Sequence, residues 1–148
     1  HFPERASLEA ALAVHGLPEL MSDLTAGSPA PASAAEVGGL AVEYVRFALR
    51  RPALFRLMFG QGCDDRDDER VRAARALHDY LEAVMAEVFP QSDPVALATA
   101  GWSLAHGLAC LHLDGKLDHD DQAAVDERVR SAFAAVFPPI SSSGTRVP

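Results

Sequence analysis

Hydrophobic residues fall at helical spacing along most of this chain. Between Glu36 and Arg50, the residues Val37, Leu40, Ala41, Tyr44, Val45 and Ala48 recur every three or four positions, which is one face of an α-helix. Arg50 and Arg51 suit a helix C-terminus, and Pro52 fits the first position of a short helix over 52–59. A longer stripe of Val71, Ala74, Leu77, Leu81, Val84, Met85 and Val88 predicts a helix over 69–89, which Pro90 stops. Asp93 and Pro94 read as the cap and first turn of a helix over 94–113. Val125, Val129, Ala132, Phe133 and Val136 predict a last helix over 121–136, ended by Pro138 and Pro139.

The first third is less regular. Ser7 can cap a helix starting near Leu8, with Leu8, Leu12, Leu20 and Leu24 as its stripe, but Gly16 and Pro18 are expected to kink or split it. Residues 27–33 form a proline-punctuated linker, with Ser33 as the next cap. No segment alternates with a period of two, so the expected fold is all-α, an antiparallel bundle of about six helices.

The segment between Asp93 and Asp114 contains no Lys, Arg, Asp or Glu. On a helical projection Val95, Thr99, Trp102, His106, Ala109 and Leu113 share one side, and Leu97, Leu104, Leu108 and Leu111 the other. Ala98, Gly101 and Ala105 form a small-residue flank between them. A helix apolar nearly all round needs cover on several sides, in a bundle or in a membrane. Marginal length, polar interruptions and acidic flanks disfavour the membrane. The small flank lets a second helix approach closely, from the same chain or from a symmetry mate.

Composition narrows the function. A chain of 148 residues is one domain's worth, and a net charge of −8 with a single lysine, Lys116, excludes a surface that grips nucleic-acid phosphates. The two cysteines, Cys63 and Cys110, are too few for a disulfide framework and read as free thiols of a cytoplasmic protein. No signal peptide is recognisable, and His1-Phe2-Pro3 reads as the interior of a longer chain. The loop 60–69 is acidic but lacks the register of a calcium site, and its charge suits the N-terminus of the following helix. His78, His106, His112 and His119 make no local H-x-x-x-H pair, so no metal or other cofactor is expected. No nucleophile elbow, phosphate loop or buried carboxylate pair suggests an enzyme, and Cys63 beside Asp64 and Asp65 would have its thiolate disfavoured.

Three segments, in order, resemble the TetR-type transcriptional regulators. His1-Phe2-Pro3 with Arg5, Leu8 and Ala11 resembles the exit from the family's DNA-reading helix. Tyr44-Val45 with Phe47-Ala48, Pro52 and Leu54 to Phe59 resembles a segment of its ligand-binding half. Trp102, His106, Gly107, Leu108 and Leu111 resemble the Trp-His-Gly signature of one C-terminal subclass. The resemblance implies a bacterial regulator, by habit a repressor, whose regulatory domain binds a small apolar effector and forms a homodimer through its last two helices. Operator DNA would be read only by an N-terminal helix-turn-helix domain, of which residues 1–6 are the trailing edge. Residues 7–140 are then the regulatory domain and 141–148 a disordered tail.

Candidate effector residues are Tyr44, Phe55, Met58, Phe59, Trp102 and His106. Each could instead be ordinary core, and Trp102 with His106 reads equally as a pocket wall or as a packing pair. The expected dimer seam is Ala98, Gly101, Ala105, Val125, Val129, Ala132 and Phe133. A constitutive helical dimerisation module without a ligand is the alternative.

Overall fold

A computed structural model describes residues 2–26, 29–60 and 68–139. Those residues form six helices and no strand: α1 (Phe2–Thr25), α2 (Ala34–Arg50), α3 (Pro52–Phe59), α4 (Asp68–Val88), α5 (Pro94–Leu113) and α6 (Gln122–Val136). The all-α expectation holds, and the expected bounds of α2 to α6 are met within about two residues. Cys63, most of the acidic loop and the C-terminal tail lie outside the described residues.

Helix starts follow the polar side chains. The Ser33 hydroxyl accepts from the Glu36 backbone N–H at 3.2 Å, while the Glu36 carboxylate accepts from the Ala32 N–H at 2.6 Å. Asp93 accepts from the backbone of Val95 and Ala96 ahead of Pro94, and Asp121 accepts from Ala123. Helix α5 ends where Gly115 adopts φ +69° and the Lys116 N–H reaches back to the Leu111 carbonyl at 2.9 Å.

Helix α1 departs from expectation. It runs unbroken through Gly16 and Pro18, and Ser7 lies inside it rather than at its start. Leu8 and Leu12 are exposed, and the buried stripe is instead Leu17, Leu20 and Leu24. Packing explains the continuity: Gly16 sits against α3, where an added Cβ would lie 2.5 Å from the Met58 sulfur. Cover from α3 and α4 outweighs the backbone hydrogen bond that Pro18 removes.

The most enclosed helix is α2, not α5. It packs on α1, α3, α5 and α6, burying Leu40, Val42, Val45 and Phe47 among others. The Arg46 guanidinium pairs with the buried Asp126 carboxylate on α6, with Nε at 3.2 Å from Oδ1. Burial alone would raise that carboxyl. Hydrogen bonds from Arg46 and Gln122 overcome it and hold the group below the usual carboxylate range.

Helix α5 is covered by α2 and α4, with a lighter contact to α6. The small flank meets the chain's own side chains: an added Cβ at Gly101 would lie 2.9 Å from Met85 Cε and 3.7 Å from Phe137. Ala96, Ala100, Ser103 and Leu111 face outward. By length and composition this helix could cross a membrane, but one side of it is core. At its end His112, fully buried, bridges to α6. The Leu108 carbonyl, 2.6 Å away, can only accept and Arg128, 2.9 Å away, can only donate, so Nδ1 carries the hydrogen and Nε2 accepts.

Candidate functional site

The Tyr44 hydroxyl stands between two groups one turn apart on α5. It accepts from the Trp102 indole N–H at 3.1 Å and lies 2.9 Å from His106 Nδ1. An indole can only donate, so the phenolic hydrogen is free to point at His106. Nδ1 then accepts, and the imidazole N–H is at Nε2.

Burial sets the protonation states. It pushes the Tyr44 hydroxyl well above its ordinary value, against the opposing bond from Trp102, so the phenol keeps its proton. Burial also lowers the His106 imidazole, favouring the neutral ring that the Tyr44 bond requires. The result is a directed relay from Trp102 through Tyr44 to His106.

Aromatic side chains of α3 enclose the relay. Phe55 stacks on His106 with centroids 5.3 Å apart, and Phe59 meets the same ring edge-on at 4.8 Å. Phe59 also approaches Trp102 at 6.3 Å, and Phe55 meets Tyr44 at 5.7 Å. Five of the six expected effector residues therefore form one cluster. Met58 is the exception, because it faces Gly16 of α1 on the other side of α3.

On the inner side of Trp102 and Tyr44 is an apolar cavity of about 30 Å³, walled by Leu40, Leu77, Met85, Phe133 and others. No charged side chain lines it. On the outer side lies an open groove of about 440 Å³ bounded by Phe59, Trp102, Ser103, His106 and Gly107. Trp102 forms part of both walls. A second groove, of about 310 Å³, continues past Phe59 to Arg56, Cys110 and Asp114. The Cys110 thiol there is free, and burial with the nearby Asp114 charge raises it, which disfavours the thiolate.

The residues of the expected dimer seam lie mostly inside the single chain. Ala98, Gly101, Ala105, Val125, Val129 and Phe133 are buried within the single chain, and Ala132 is half-buried against its core. Gly101, Ala105 and Phe133 line the inner cavity. Periodicity identifies a small-residue flank but not which neighbour fills it. The cavity residues Leu77 and Met85 were visible only as members of the α4 stripe, with nothing to separate them from ordinary core.

Residues 37–136 match the model of the tetracyclin repressor-like C-terminal domain. The fold is similar to that of a solved structure from Rhodococcus sp. RHA1, described as a protein with unknown function. That similarity has a TM-score of 0.74 at 27% sequence identity and covers 89% of this chain and 74% of the other. No curated protein matches.

Proposed function

The chain belongs to the tetracyclin repressor-like C-terminal domain family, and on that premise we propose that it is the effector-binding and dimerising part of a TetR-type transcriptional regulator. Domains of this family are regulatory, binding small molecules and associating as dimers. The observation that carries the reading is the Trp102–Tyr44–His106 relay, in which Tyr44 and Trp102 wall a cavity without charged lining and His106 faces the outer groove. Such a site favours an uncharged, mostly apolar effector, because a charged one would lose its hydration without a partner. Nε2–H of His106 is the donor offered to a single acceptor atom on that effector.

A cavity of about 30 Å³ holds little more than water, whereas ligand pockets run from roughly 300 Å³ upward. Binding therefore requires Trp102 to move and join the cavity to the outer groove. That requirement supplies a switch. An effector that binds the opened form better than the closed one shifts the population by that difference in affinity.

Dimerisation uses the outward face of α5, where Ala96, Ala100, Leu104, Gly107 and Leu111 present an uncharged surface one helix long. Leu111 is 45% exposed on this face. Operator contact belongs to a helix-turn-helix segment preceding residue 7, because the acidic body of this chain cannot neutralise phosphates. Helix α1 crosses that boundary without a break and packs on α3, which carries Phe55 and Phe59. A shift of α3 on effector binding would thus reorient α1, and with it the DNA-reading part. Repression in the cytoplasm is the corresponding biological role.

Thermal unfolding in the presence of matched eight-carbon compounds tests the ligand class, since anything binding the native state alone raises the melting temperature. Octanol should stabilise the protein, while octanoate and octylamine should not. Equal stabilisation by the charged pair would overturn the uncharged site.

A further inference from the structure

His78, Asp79 and Glu82 occupy one turn of α4, away from the effector site's α3 wall, and each offers a ligand atom within 4.8 Å of the others. The spacing puts His78 and Glu82 on the same helix face, one turn apart, with Asp79 beside them. Two further observations separate this group from an ordinary polar surface.

The first is the imidazole tautomer. Thr99 on α5 donates its hydroxyl hydrogen to the Val95 carbonyl at 3.0 Å, so toward His78 its oxygen can only accept. His78 Nε2 lies 3.1 Å from that oxygen and must therefore carry the ring hydrogen. Nδ1 is left with an uncommitted lone pair. Metal-ligating histidines are characteristically held this way, with the second ring N–H donated to an oxygen that fixes ring orientation.

The second is charge. Neither Asp79 nor Glu82 has an ion pair or a side-chain hydrogen bond among the described residues, although Arg75 is only one turn from Asp79. Two uncompensated carboxylates next to an oriented imidazole favour a cation.

We propose that His78, Asp79 and Glu82 bind a divalent transition-metal ion, with Thr99 as the positioning residue for His78. One nitrogen and two carboxylate oxygens suit a borderline ion such as Zn²⁺ or Ni²⁺ better than Ca²⁺, which prefers an all-oxygen shell. Ligand bonds near 2.1 Å set tetrahedral ligand separations of about 3.5 Å, so modest side-chain rotation completes the set. Water fills the open positions. Because the His78 ring is clamped to Thr99, one turn before Trp102, a bound ion ties α4 to the helix that carries the relay. The motif H-D-x-x-E was present in the sequence, but a search for paired histidines does not find it.

Trp102 is the only tryptophan, and its ring centroid is 6.4 Å from that of His78. Tag-free protein titrated with NiCl₂ while following Trp102 emission therefore reads this site directly. The expected result is saturable quenching at one Ni²⁺ per chain. Affinity should fall at least tenfold in His78→Gln and in Glu82→Gln, and severalfold in Thr99→Val, while His119→Gln behaves as the parent. Circular dichroism checks that each variant keeps its helix content, and Glu82→Gln, on the protein surface, provides the test if His78→Gln does not fold. No saturable quenching up to millimolar Ni²⁺ would overturn the proposal. So would quenching that is the same in the parent, His78→Gln and Glu82→Gln.

Discussion

The Tyr44 hydroxyl lies 2.9 Å from His106 Nδ1, joining the most enclosed helix of the chain to the helix with the most apolar sequence. Because the same oxygen accepts from Trp102 at 3.1 Å, one phenol fixes two α5 side chains at once. Removing that oxygen leaves an indole donor and an imidazole acceptor without their partner. Tyr44→Phe should therefore destabilise the fold by about 1–3 kcal/mol. Denaturant unfolding of Tyr44→Phe, Trp102→Phe and the double variant checks it, and the double variant should lose less than the sum of the singles.

Acid should weaken the fold through His106. Burial holds its folded value below the ordinary 6.5, so between those two values the unfolded chain binds more protons at this ring. Stability rises with pH wherever that is so. The contribution is thus fully present above about pH 6.5 and is lost as pH falls toward the folded value. Urea midpoints measured from about pH 5 to about pH 7.5 should rise, and the slope should shrink in His106→Phe.

Asp126 should matter at lower pH and in the opposite sense of charge. Its folded value lies below the ordinary 3.8, so its contribution is present above that value and lost as pH falls through the folded one. Asp126→Asn should cost roughly 1.5–3 kcal/mol, as for other hydrogen bonds to charged groups. Arg46, more than a third exposed, is partly screened by solvent, which places the cost toward the lower end. Thermal or denaturant unfolding at neutral pH measures it.

Three glycines divide by what an added side chain meets. Gly16→Ala should destabilise by about 1–2 kcal/mol despite alanine's better helix propensity, because its Cβ would press on Met58. Gly101→Phe should fail within the subunit, against Met85 and Phe137. At Gly107 nothing lies within 4 Å of an added Cβ, so Gly107→Leu should leave the subunit folded. If the outward face of α5 is the seam, light scattering will show that variant as a monomer. An unchanged dimer would place the seam elsewhere.

Much of the fold was legible because it rests on local signals. Ser33, Asp93 and the prolines at 52 and 94 mark helix starts that no packing detail could move far. Helix α1 differs from the local signal because Gly16 and Pro18 carry a local cost, while the contact with Met58 that offsets it is long-range. The aromatic part of the site was legible for a similar reason: Trp102 and His106 are one turn apart, and Tyr44 lies on the inward stripe of α2. What periodicity cannot supply is the partner of an apolar face. Ala98, Gly101 and Ala105 suit a helix of the same chain or of a second copy, and Met85 of α4 and Phe137 after α6 lie beside Gly101 on that side.

The proposed pocket is tested most directly with the uncharged fluorophore N-phenyl-1-naphthylamine, by energy transfer from Trp102. Saturable transfer at one probe per chain is expected, with at least tenfold weaker binding in Ala105→Val, which fills the cavity wall. Transfer that never saturates, or that is equal in parent and Ala105→Val, would contradict an effector site between Tyr44, Trp102 and His106.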